Sequence, residues 1–172
     1  VNAHPPYSQS EELALIPNGI IENYAVLKEG LKKHGFTFNS DTDTEVLIQL
    51  IEYVKKSNNV DLTTAVQLAL NQVVGAYAIA VIEKGKPDII VAARKGSPLV
   101  VGIGEGEFFI ASDATPIVEY TNQVVYVGDE EIVTLERDKE IKIKTISNVE
   151  KTPEIKKLEM TPTQKIIRGR KN

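Results

Sequence analysis

The first 74 residues pair one short apolar run with three stretches of helical period. Glu12-Leu13-Ala14-Leu15-Ile16-Pro17 predicts a short, largely buried strand. Asn18-Gly19 behind it predicts a turn, because the pair tolerates positive φ. Residues 22–34 place Tyr24, Leu27 and Leu31 on one stripe with Lys28, Lys32 and Lys33 opposite, and Gly35 as the residue that ends this helix. Thr42-Asp43-Thr44-Glu45 has the spacing of a capping box, with Thr42 as N-cap and Glu45 at N3. Val46, Leu47, Leu50, Ile51 and Val54 then form the apolar face of a helix reaching about Lys56. A third helix is expected from about Asp61 to Val73.

From Gly75 the period changes to that of strands. Runs at 76–82, 89–94, 99–103, 107–111, 123–126, 131–135 and 141–145 are bounded by turn residues, with one helical turn after Ser112-Asp113. Helices followed by strands predict an α+β fold with mostly antiparallel pairing. The near-continuous apolar run Ala76–Ile82 predicts a strand covered on both faces, hence a sheet inside a sandwich. Beyond Val149 the apolar pattern collapses, so residues 1–149 read as the domain and 150–172 as a linker or tail.

Composition narrows the chemistry. The 172 residues include no cysteine and two histidines, His4 and His34. Disulfides, thiolate metal sites and a cysteine nucleophile within this chain are excluded, and no metal or organic cofactor is implied. Residues 1–150 carry a net charge of −9 and residues 151–172 one of +5. The acidic body should repel nucleic acid, and the short basic end reads as a solvated tail. No apolar run is long enough for a membrane span, and the start has no signal-peptide pattern.

Several residues are candidates for chemistry, each with a plainer reading beside it. A glycine at Asn18-Gly19 lets a ligand approach the backbone and leaves N–H groups for an oxyanion, although such a pair is usually an ordinary turn. Asp43 at a helix start can bind an ammonium group or merely complement the helix dipole. His4 beside Pro5-Pro6 is either a pocket residue or a surface one. Gly102-x-Gly104-x-Gly106 lacks the phosphate-loop spacing and reads as a hairpin connection.

Together the blocks are more specific. Asn18-Gly19-Ile20-Ile21-Glu22-Asn23, Ser40-Asp41-Thr42-Asp43-Thr44-Glu45-Val46, Arg94-Lys95-Gly96-Ser97-Pro98-Leu99-Val100-Val101-Gly102 and Phe109-Ile110-Ala111-Ser112-Asp113 occur in that order. They resemble the glutaminase domain of the glucosamine-6-phosphate synthase (glutamine–fructose-6-phosphate aminotransferase, isomerising) family, over about residues 1–149. Those domains are class II glutamine amidotransferases of the N-terminal-nucleophile type. The resemblance implies a four-layer αββα sandwich, incomplete at its N-terminus, with glutamine as substrate. It implies an oxyanion hole from the Asn18 side chain and the Gly19 N–H, and substrate contacts from Asp43 (to the α-ammonium) and His4. It implies ammonia transfer to fructose 6-phosphate on a separate isomerase domain, a cytoplasmic location and a possible homo-oligomer.

The chain departs from that family in three ways. The nucleophilic cysteine and the segment that begins with it are not in this sequence, so the chain is expected not to hydrolyse glutamine alone. Pro17 stands where a histidine usually precedes Asn-Gly, and residues 161–172 do not match the family's linker. The alternatives are a non-enzymatic binding module on the same scaffold, or a fragment of another class II glutamine amidotransferase.

Overall fold

The computed structural model describes residues 6–159. The elements, in chain order, are β1 (Leu13–Ile21), α1 (Tyr24–Lys33), α2 (Asp43–Asn58), α3 (Leu62–Leu70), β2 (Gly75–Glu83), β3 (Lys86–Lys95), β4 (Val100–Ile103), β5 (Phe108–Ala111), β6 (Gln123–Tyr126), β7 (Glu131–Glu136), β8 (Lys142–Thr145), β9 (Glu150–Lys151) and β10 (Lys156–Lys157). One sheet has the order β1-β2-β3-β7-β8-β9 and the other β10-β6-β4-β5, with antiparallel neighbours throughout.

Strand alternation divides the core into layers. Leu13, Leu15 and Ile21 of β1, with Tyr77, Ile79 and Val81 of β2, pack under Leu47, Ile48 and Ile51 of α2 and Ala65, Val66 and Ala69 of α3. Each large apolar side chain buried there contributes about 1.5–3 kcal/mol. The opposite face of the same sheet, through Ala78, Ala80, Ala92 and Val133, packs on Leu99, Val101 and Val125 of the second sheet. Burial on both faces explains the unbroken apolar run of β2. On the far side of the second sheet, Ile117 covers Val100 and Val124. It belongs to the helical turn expected after Ser112-Asp113, which closes through the Ala114 carbonyl accepting from Ile117 and Val118. The order is therefore helix, sheet, sheet, helical turn.

Most element ends fall within a few residues of the pattern's expectation. Two regions differ. The strand expected to stop at Pro17 runs on to Ile21, so Asn18 and Gly19 are strand residues and not a turn. Residues 150–159, placed by sequence in a linker or tail, include β9 paired with β8 and β10 paired with β6. Two-residue strands have too little apolar content to show in a hydropathy pattern.

Helix α2 is strapped along β1. Asp43 at its first turn accepts from the Ile21 N–H at 2.7 Å. Further along, Gln49 Oε1 accepts from the Gln9 N–H at 2.7 Å, Glu52 takes the Ser10 hydroxyl, and Lys55 pairs with Glu83 of β2 at 2.9 Å. Leu13 lies opposite Glu83, so these anchors run the length of β1. At the other end of α1, Gly35 (φ +89°) donates to the Lys32 carbonyl and Phe36 to that of Leu31, a Schellman closure at the expected place.

Candidate active site

Asn18 and Gly19 sit in register opposite Ala78 and Tyr77 of β2. Ala78 faces the second sheet, so the Asn18 side chain is on that inter-sheet face as well. Among the described residues it is exposed, as are Ile16 and Ile20, its neighbours two residues either way on that face, at 60% and 68%.

Gly19 has φ +134°, and a Cβ built there would lie 2.2 Å from the Ala76 carbonyl oxygen and 2.6 Å from the Tyr77 Cα. Only glycine has the room and the conformational freedom. Gly75, on the facing strand, has the complementary constraint: φ +154°, with the Ile20 carbonyl oxygen 2.1 Å from a built Cβ. The two glycines let β1 and β2 stay in close pairing to the end of the strand, which is why Asn18-Gly19 does not turn.

Hydrogen bonds alternate in direction along β1. The N–H groups of Leu13, Leu15 and Ile21 point away from β2, to the Ser8 hydroxyl, the Pro6 carbonyl and Asp43 respectively. Glu22 instead donates inward, to the Val74 carbonyl. Parity therefore directs the Gly19 N–H outward, to the edge that no described strand pairs. Pro17 occupies the same parity, so its missing N–H falls on the side away from β2 and removes no rung of the β1–β2 ladder. The histidine-to-proline departure is thereby accommodated.

Asp43 is the first residue of α2, behind the N-cap Thr42, whose hydroxyl accepts from the Glu45 N–H at 3.4 Å. The expected cap is present, but its box is not reciprocal. The Glu45 carboxylate accepts from Asn39 and Ser40 N–H, at 2.6 and 2.8 Å, and not from Thr42. One oxygen of Asp43 is occupied by Ile21, and the side chain stays partly exposed.

Gly19 and Ile21 are two residues apart on one edge, about 6.6–6.8 Å along a strand. A carboxylate and an outward N–H donor therefore stand at a separation comparable with the reach of a glutamine side chain, roughly 5 Å from ammonium to amide at about 1.5 Å per bond. The structure places the Asp43 carboxylate at Ile21, two residues along β1 from Gly19. The sequence pattern misses the Ile21 N–H, whose partnership with Asp43 joins helix to strand edge. The signal was there: Ile20-Ile21 continues the apolar run past Asn-Gly.

Among the described residues Asn18 stands on an exposed ledge. Two clefts lie elsewhere. One of about 670 Å³ is lined by Asp61, Lys86, Thr134, Lys144 and Lys151 among others, and one of about 460 Å³ by Ile103, Phe108 and Pro153. Neither includes Asn18, Gly19 or Asp43. Tyr77, opposite Gly19, turns its hydroxyl into the helix-side core, where it has no hydrogen-bond partner among the described residues. Burial, and then the Glu130 and Asp129 charges, push its ionisation well above the usual tyrosine range. His4 lies outside the described residues, as do residues 160–172. Among the described residues no group of three His, Asp or Glu is arranged to hold a metal ion, and no helix is long and apolar enough to cross a membrane.

Comparison with known proteins gives this geometry a family. A glutamine–fructose-6-phosphate aminotransferase [isomerizing] of Bacteroides thetaiotaomicron is 69% identical over 160 residues, covering 93% of this chain and 26% of its own length. The Chlorobaculum tepidum protein of the same name is 52% identical over 169 residues, covering 98% and 27%. The chain thus spans about a quarter of the curated relatives it matches. Among solved structures, the glutamine phosphoribosylpyrophosphate amidotransferase of B. subtilis, complexed with ADP and GMP, superposes with a TM-score of 0.67 at 27% identity. That match covers 85% of this chain and 32% of the other. The α+β sandwich is thus of the N-terminal-nucleophile amidotransferase type. The model of the glutamine amidotransferase domain matches residues 2–119, and the chain belongs to that family.

Proposed function

We propose that this chain is the glutamine-holding part of a glutaminase domain whose ammonia converts fructose 6-phosphate to glucosamine 6-phosphate on an isomerase domain. The name and 69% identity of the Bacteroides relative support the substrate pair, against the 27% identity of the phosphoribosylpyrophosphate enzyme. The glutaminase unit is residues 1–149, and the chain beyond leads out of it, fastened back at its start by β9 and β10. A cytoplasmic location suits sugar-phosphate chemistry.

In this reading the glutamine side-chain amide lies at the β1 edge. A cysteine thiol, from outside these 172 residues, attacks the amide carbon. The carbonyl oxygen becomes an oxyanion, receiving hydrogen bonds from the Gly19 N–H and the Asn18 amide. Loss of one such donor typically costs on the order of 10²–10³ in turnover. The Asp43 carboxylate holds the α-ammonium. A full charge is needed there because the positive end of the α2 dipole repels a cation. The observation that carries the reading is the Ile21–Asp43 bond, two residues along β1 from Gly19.

The test is glutamate release. The 172-residue chain should release none, having no cysteine nucleophile. The same chain joined to a family-type cysteine-bearing N-terminal segment should become a glutaminase. In that protein Asp43→Asn should raise the KM for glutamine about 10- to 100-fold, the loss of one hydrogen bond to a charged group, with little change in thermal stability. An unchanged KM with a lowered melting temperature would make Asp43 a helix cap and nothing more.

A further inference from the structure

We propose that Glu45 is a positioning residue for Asp43: it fixes the first turn of α2 so that the Asp43 carboxylate meets the Ile21 N–H at the β1 edge. The ammonium-binding consequence rests on the function proposed above. The Glu45–Asp43–Ile21 linkage does not.

Glu45 is 6% exposed and has no Lys or Arg partner among the described residues. Burying a carboxylate without a cation is costly unless hydrogen bonds replace its water. Here three do: the Asn39 N–H, the Ser40 N–H and the Ser40 hydroxyl. A reciprocal capping box needs one donor from Glu45's own helix start, the Thr42 N–H. This carboxylate bypasses that donor and reaches into the connection before the helix.

The bonds close a ring around Asp43. The Ser40 hydroxyl is 2.8 Å from the Thr42 hydroxyl, and the Thr42 hydroxyl accepts from the Glu45 N–H. Asp43 is the residue enclosed, next to Thr42 and two before Glu45. Its own side chain turns the other way, to β1. Two carboxylates share the first turn of this helix. The donors at 39 and 40 draw the Glu45 charge to the loop side and leave the strand side to Asp43. The ring thus sets both where the helix starts and which way each carboxylate faces.

Amide spectra of the ¹⁵N-labelled 172-residue chain test this without catalysis or ligand. Asp43→Asn provides the reference displacement of the Ile21 amide resonance. Glu45→Gln keeps the shape of the side chain but sets an NH₂ group against N–H donors. It should move the Ile21 amide in the same direction and speed its hydrogen exchange about tenfold, although Glu45 does not touch Ile21. Ser40→Ala removes one ring member, leaves the burial of α2 intact and should do the same to a smaller extent. It keeps the test open if Glu45→Gln fails to fold. Movement of the Asn39 and Ser40 amides with Ile21 unchanged would overturn the proposal, reducing Glu45 to a loop anchor. In the cysteine-bearing fusion, Glu45→Gln should raise the KM for glutamine and spare kcat. An altered Ile21 amide with an unaltered KM would uphold the positioning role and refute instead the assignment of Asp43 to the ammonium.

Discussion

The two halves of β1 have the same backbone and opposite employment. From Leu13 to Leu15 both faces are buried, and the outer edge is closed by Pro6 and Ser8. From Ile16 to Ile20 the inter-sheet face is exposed among the described residues, and the outer edge carries an N–H at Gly19 and none at Pro17. Ile21, with its carboxylate partner, closes the far end. The first half is a structural strand. The second is a strand held by β2 on one side, and in the function proposed above its other side presents donors. Preorganised donors need that support, because donors that must be gathered at the moment of reaction lose part of their effect.

The comparison can be broken most severely at Gly19. Gly19→Ala must leave φ +134° or displace the β2 backbone, and should cost about 3–5 kcal/mol in urea unfolding, strain and overpacking together. A variant within 1 kcal/mol of the parent would mean that the chain turns at Asn18-Gly19 after all. Next comes Leu15→Ala in the closed half. Leu15 is fully buried among the helix-side residues, so about 2–5 kcal/mol should be lost while the chemical shifts of the Asn18 and Gly19 amides persist in the folded fraction. Ser8→Ala tests the closure of the edge itself. It leaves the buried Leu13 N–H without its acceptor and should cost about 1–3 kcal/mol, measured by the same unfolding curves. Smallest is Ile20→Thr in the open half, expected within about 0.5 kcal/mol, since the side chain touches mostly solvent. If Ile20→Thr proved as costly as Leu15→Ala, the two halves would not differ as described.

What local chemistry dictates was readable along the chain. Thr42 as N-cap, Gly35 as the helix terminator, the hairpin connection at Gly104 and Gly106 (Gly102 of the same motif lies in β4) and the double-sided apolar run of β2 each depend on residues within one turn or one strand of each other. The ordered motif blocks also pointed to the family. Three things required the tertiary structure. Asn18-Gly19 stays in the strand because Gly75, 56 positions beyond Gly19 in the numbering, matches its positive φ on the facing strand. Glu45 abandons the reciprocal box because Asn39 and Ser40 are folded back over it. Asp43 finds Ile21, and β9 and β10 find their sheets, through contacts that no periodicity encodes. A propensity is a property of a short segment, so the sequence by itself determined the elements and their caps. Whether Asn18-Gly19 turns or stays in a strand, and which strand donor meets Asp43, depends on packing between segments far apart in the chain, and only the tertiary structure decided that.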